Sequence, residues 1–189
     1  MTRHGLICLV LVFLFAAPVL AGILAGITLP DSLDIAGQTL VLNGMALRSK
    51  KIVFSFKVYV AGLYLSAKEQ SSEKILAADG PRCTVMHFLR SVKAKQVNEA
   101  WYEGLEANTP GYSTELKKQF DTLAGLMEDL KDGDKLVFTY RPGSGTEVKV
   151  KGKIKGILGD KAFADALFSC WIGKKPGPGE GFKKGLLGI

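Results

Sequence analysis

The sequence predicts an α+β domain with helices laid on one face of an antiparallel sheet. Strand-like runs dense in Val, Phe and Tyr come first, and two segments with apolar residues at helical spacing follow. A hairpin and more helices close the chain, an order that suits segregated layers and not alternating βαβ units.

The stretch Thr39 to Arg48 reads as a strand, and Ile52 to Leu65 as a longer one. In the second, Phe54, Phe56, Val58 and Val60 form the core-like face, and Ser55, Lys57, Tyr59 and Ala61 point the other way. A central strand with one semi-polar face suggests a site or a solvent layer over it. Ser71 to Ala78 is a short helix closed by Asp79-Gly80, and Arg82 to Leu89 is a strand. Lys93 to Asn108 places Val97, Ala100, Trp101, Gly104 and Leu105 at helical spacing, and Thr109-Pro110-Gly111 breaks it. A second long helix, Thr114 to Leu130, is capped by Ser113. Lys135 to Tyr140 and Thr146 to Lys151 flank the turn Pro142-Gly143-Ser144-Gly145. If the second of these strands continues through Gly152, Lys149, Lys151, Lys153 and Lys155 make one exposed basic stripe. Lysines on a sheet edge also block unwanted strand pairing, a purely structural use. Asp160 caps a helix with Phe163, Ala164, Leu167, Cys170 and Trp171 on its apolar face, and Gly181 to Leu187 is a short last helix.

The chain opens with a short basic stretch, an apolar run from Leu6 to Leu20 and a small-x-small site at Val19-Leu20-Ala21. These are the parts of a cleavable export signal. Residues 1–21 are therefore expected to be a signal and residues 22–189 one domain, placing the protein outside the cytoplasm. A retained membrane anchor is the competing reading, and a second cleavage site follows Ala25. Removal of the signal takes Cys8 and leaves Cys83 and Cys170, as one disulfide or as two buried thiols. From Lys135 onward there are 11 Lys and Arg against 4 Asp and Glu, whereas residues 22 to 134 carry 13 against 14. A basic field attracts anionic lipid or nucleic acid. Nucleic acid is the poorer partner, because no aromatic residues interleave the lysines and an exported protein has little call for it.

Recognisable catalytic motifs are missing: there is no G-x-S-x-G, no H-E-x-x-H, no metal-ligand cluster and no phosphate-cradling glycine loop. No cofactor is expected. His87 lies in a strand and reads as a satisfied buried histidine. What remains is Arg48, on the same face as Leu40 and Leu42, with Tyr59 and its neighbour Lys57. A guanidinium fork and a tyrosine hydroxyl over an apolar cleft would hold an anionic head with a hydrophobic tail. A strand-end ion pair and an interior tyrosine are the plainer account of the same two residues.

The segment LVLNGMALRSKKIVFSFKVYVAGLYL resembles the chalcone isomerase superfamily, and the whole chain is similar to its bacterial exported branch, the chalcone isomerase-like proteins. ITLPDSL, LNGMALR, FKVYVAGLYLSAK, ILAADGP, MHFLRSV, EGLEAN, DGDKLVFTYRPGSGTEVKV, FADALFSCWIGKKP and KKGLLG carry the resemblance in order from Ile27 to Gly188. It implies an open-faced β-sandwich, a curved antiparallel sheet with helices over one face and a ligand cleft between them. In the plant isomerase an arginine, a threonine and a helix-region tyrosine assist ring closure of a chalcone. Arg48 matches the arginine, Tyr59 stands near the threonine's place, and no tyrosine falls near Ala94 to Gln96. The plastid fatty-acid-binding branch keeps an arginine and a tyrosine in a setting that Lys57-Val58-Tyr59-Val60-Ala61-Gly62 resembles, and there the pair holds a carboxylate.

The expected function is therefore binding of a fatty acid or similar apolar anion, with Arg48, Tyr59 and Lys57 at its head. The alternatives are an isomerase of the intramolecular lyase type using Arg48 and Tyr59, and an envelope protein that meets anionic lipid through Lys149, Lys151, Lys153 and Lys155.

Overall fold

Strand alternation and tight turns build one long meander. A computed structural model describes residues 21–51 and 54–189, so the expected export signal lies outside the described residues apart from Ala21. Ala21–Leu24 (β1) and Ile27–Pro30 (β2) pair as a separate hairpin. Ser32–Ile35 (β3), Gln38–Lys51 (β4), Ser55–Leu65 (β5), Arg82–Phe88 (β6), Lys135–Arg141 (β7), Gly145–Val150 (β8) and Lys153–Leu158 (β9) form a seven-stranded antiparallel sheet in sequence order. Ser72–Ala77 (α1) links β5 to β6, and Ala94–Asn108 (α2) with Thr114–Leu126 (α3) links β6 to β7. Lys161–Ile172 (α4) and Glu180–Leu187 (α5) follow β9.

The caps follow from side-chain chemistry. Ser71, Ser113 and Asp160 each accept a backbone N–H in the first turn of α1, α3 and α4. The helix expected to reach Leu130 stops at Leu126. Tertiary contacts end it: Val92 and Leu130 bridge, and the Asp129 carboxylate accepts the Ala94 N–H at the start of α2.

Three short hairpins escape the sequence reading, and they share a cause. Ala25-Gly26, Ala36-Gly37 and Lys151-Gly152 each put two consecutive residues at positive φ, between 51° and 85°. That is the type I′ pattern, normally announced by Asn-Gly or Asp-Gly. Here Ala or Lys occupies the first place, so the signal is muted. The third turn also corrects the basic stripe. The chain reverses at Lys151-Gly152 instead of continuing, and Lys151 and Lys155 both pair with Glu128 while Lys149 meets Glu147 at 3.7 Å. Lys153 and Lys155 lie on β9, the outermost strand, in keeping with the edge-protecting role.

Two cores lie on opposite sides of the sheet. The larger joins every helix to alternate strand residues such as Ala61, Leu63, Phe88, Leu136 and Phe138. Its centre is aromatic, with Trp101 and Trp171 edge-to-face at 5.3 Å and Trp101 against Phe138 at 5.5 Å. α4 is buried nearly all round, Ala166, Phe168 and Ile172 joining the residues expected on its apolar face. The smaller core holds Leu29, Leu40, Tyr64, Cys83 and Val85, and strands alone build it. Cys83 and Cys170 are both free and belong to different cores, so no disulfide joins them.

Candidate functional site

Arg48 and Tyr59 are direct partners in the β4–β5 ladder. Residues opposite each other in an antiparallel pair share a face, so the two side chains leave the sheet together. The face is that of Ala46 and Ala61, which belong to the helix-side core. This overturns two expectations. Arg48 does not share a face with Leu40 and Leu42, because the ladder slips between Leu42 and Gly44. The extra residue, Asn43, inverts the alternation that follows, as a β-bulge must. In β5 the ladder slips again at Val58, and Tyr59, Ala61, Leu63 and Leu65 pack into the large core. Of the expected semi-polar face, Tyr59 and Ala61 thus lie under the helices while Ser55 and Lys57 stay exposed. Phe54, expected in the core-like set, is 81% exposed and precedes the strand.

Above the pair lie the segment from Gly173 to Gly179 and α5. Arg48 is half-buried, and its Nη1 donates to the Pro178 carbonyl at 2.9 Å. No carboxylate pairs with it among the described residues. Tyr59 is buried, with Phe88 at 5.4 Å and Phe182 of α5 at 5.7 Å between ring centroids. Burial pushes the Tyr59 hydroxyl up to about 12, partly offset by the Trp171 side chain and the Arg48 charge. The hydroxyl is accordingly a neutral donor at any physiological pH. Lys57 is exposed and sits opposite Ser49, away from both residues, so only two of the three expected residues come together.

α5 can approach because glycine meets glycine. A Cβ on Gly44 would fall 2.2 Å from the Gly185 carbonyl oxygen, and one on Gly185 would fall 2.7 Å from the Met45 oxygen. Asn43, turned inward by the bulge, donates to the carbonyls of Leu186 (2.9 Å) and Glu69 (3.0 Å) and accepts the Glu69 N–H at 2.8 Å. Asn43, Pro178 and Phe182 were invisible as site residues, since each acts through a partner far away in sequence. An Asn-Gly pair inside a strand was the one available hint of a bulge.

A second buried arginine was also missed. Arg82 is only 1% exposed, bonded to the Asp165 carboxylate and to the Ile75 carbonyl at 2.9 Å. Its guanidinium lies between the rings of Tyr140 and Phe168, at 5.0 and 4.9 Å. His87 proves half-buried on β6, its basicity lowered by burial and by Lys135, its cross-strand partner. Neither of two cavities in the molecule reaches Arg48 or Tyr59: one of about 260 Å³ lies beside α1 and Arg82, and one of about 500 Å³ lies on the far face of the sheet.

Comparison with known proteins places the fold. Among curated proteins, none matches the sequence significantly. Among solved structures, a fatty-acid binding protein of Arabidopsis thaliana superposes with a TM-score of 0.72 at 15% identity, over 89% of this chain and 96% of its own. At that identity the likeness is one of fold: a curved antiparallel sheet with helices on one face. The family model described as chalcone isomerase-like matches residues 21–188. The chain therefore belongs to the chalcone isomerase-like family.

Proposed function

We propose that this protein binds a fatty acid or a similar apolar anion between the sheet and the helices, its head held by Arg48 and Tyr59. The observation that carries the reading is the state of Arg48. It is a half-buried cation on the helix side of the sheet, next to a neutral hydroxyl, and a backbone carbonyl is its hydrogen-bond partner. A carboxylate is the better partner, since charge-assisted bonds are roughly twice as strong as neutral ones. A ligand head would take the place of the Pro178 carbonyl, and α5 would lift to admit the tail beside Phe88 and Phe182. Each buried methylene would then contribute about 0.8 kcal/mol. The fatty-acid binding protein that shares the fold supports the ligand class.

We also place the protein in the periplasm, on the basic start, apolar run and Val19-Leu20-Ala21 site of its sequence. Cleavage after Ala21 would leave the β1–β2 hairpin almost whole, whereas cleavage after Ala25 would remove β1. Sequencing the mature N-terminus decides between them.

The test of binding is mass spectrometry of lipids extracted from the purified protein, together with titration by a fluorescent fatty acid. Affinity unchanged in both Arg48→Ala and Tyr59→Phe would remove the proposed site.

A further inference from the structure

The face of the sheet turned away from the helices has a cavity of its own, about 500 Å³, within the usual range for small-molecule sites. Lys135, Val137, Thr139 and Arg141 of β7 line it, as alternate residues of one strand should. Cys83 and Val85 of β6 lie opposite Thr139 and Val137, and Glu147 and Lys149 of β8 flank the other side. Leu29 of β2 and Leu33 and Ile35 of β3 close the cavity from across the sheet. β3 and β8 stand five places apart in strand order yet border the same space, so the sheet curls around it.

Leu29, Leu33, Ile35, Val85 and Val137 make its lining largely apolar. The rim sets Lys135, Arg141 and Lys149 against Asp34 and Glu147, an excess of one positive charge. Asp34 accepts the Gly37 N–H of its own turn at 3.0 Å. Tyr64, whose ring belongs to the floor, spends its hydroxyl on the Pro30 carbonyl at 2.9 Å. Of the rim cations, Lys149 meets Glu147 at 3.7 Å, while Lys135 and Arg141 have no carboxylate partner among the described residues. Lys135 and Arg141 end the same strand, about 20 Å apart at the ordinary strand rise. Thr139 likewise donates its hydroxyl to Cys83 Sγ at 3.5 Å, so a sugar or nucleotide would find few free polar groups on the floor. A single acyl chain would fill it.

We infer that this trough is a second binding site, for a single-chain amphiphile with an anionic head. The tail lies along Val137 and Val85 beneath Leu29, Leu33 and Ile35, and the head meets Lys135 and Lys149. The site is independent of the Arg48–Tyr59 reading, because the two lie on opposite faces of β5. Tyr59 and Ala61 face the helices, and Tyr64 faces the trough.

Titration of the full chain with 11-(dansylamino)undecanoic acid, competed by hexadecanoate, tests the assignment. The pair Lys135→Glu with Lys149→Glu, the first residue exposed and the second half-buried, is expected to weaken the trough's class of sites at least tenfold, about one lost charge-assisted bond. Val137→Trp, checked for native fold by circular dichroism, is expected to abolish it by filling the floor. Nuclear Overhauser contacts from hexadecanoate to the Val137 methyl groups would confirm the location. Probe affinity and stoichiometry equal to wild type in the double lysine variant would overturn the inference, whether or not Val137→Trp folds. Should Arg48→Ala remove all binding while the lysine variant changes nothing, the trough is overturned and the helix-side cleft stands. Absence of any probe binding to the wild type would overturn both.

Discussion

Arg48 and Arg82 are both drawn into the fold on the helix side of the same sheet, and their surroundings differ in kind. Arg82 is almost wholly buried, bonded to a carboxylate and a carbonyl and stacked between two aromatic rings. Arg48 is half-buried, touches one carbonyl and faces a neutral tyrosine. Burying an unpaired cation costs several kcal/mol, so Arg82 needs Asp165. Arg48 keeps contact with water and can wait for an anion. The first arginine holds the helix layer to the sheet, and the second is available for a ligand.

The largest expected effect breaks the first arginine. Asp165→Ala should destabilise the protein by about 3–5 kcal/mol by stranding the guanidinium, seen as a lowered urea midpoint. A loss below about 1 kcal/mol would mean that Arg82 finds water and is not the locked partner described. Gly44→Ala comes next, at about 1–3 kcal/mol, because its Cβ would collide with the backbone of α5. Faster proteolysis around α5, with the sheet intact, is the expected signature.

Arg48→Ala should leave stability within about 1 kcal/mol of wild type yet weaken binding of a fatty acid in the helix-side cleft at least tenfold. A large loss of stability there, equal to that of Asp165→Ala, would erase the contrast between the two arginines. Tyr59→Phe should weaken the same binding about fivefold, the worth of one hydrogen bond of about 1 kcal/mol.

The smallest effect is confined to high pH. A tyrosine accompanies each arginine, and burial first of all pushes the hydroxyls of Tyr59 and Tyr140 up to about 12. Both folded values exceed the ordinary value near 10, so the folded state holds these protons more tightly. Their contribution is complete below about pH 10 and is lost as pH rises from there towards 12. Denaturation midpoints should be flat below about pH 10 and fall above it, and Tyr140→Phe should make the fall shallower. A slope beginning near neutral pH would point to other groups.

Much of the fold was legible because local chemistry specifies it. The caps Ser113 and Asp160, the Pro142–Gly145 turn and the helical spacing around Trp101 all act over a few residues. The site was legible in its residue types, Arg48 and Tyr59, and illegible in its facing. A single bulged residue inverts every side chain after it, and nothing at Arg48 itself records that a bulge sits at Asn43. Lys57 stands two residues before Tyr59 and would share its face in a regular strand, but the slip at Val58 breaks that alternation and leaves Lys57 exposed opposite Ser49.

By itself the sequence determined the fold class, the caps, the family resemblance and the two residues of the candidate head site. Those properties rest on short-range geometry and on an ordered set of segments. Only the tertiary structure decided that Arg48 and Tyr59 face the helices, that Lys151-Gly152 reverses the chain, that the cysteines lie in separate cores, and that a cavity opens on the far face of the sheet. Each depends on strand register and sheet curvature, which are fixed by contacts between residues distant in the chain.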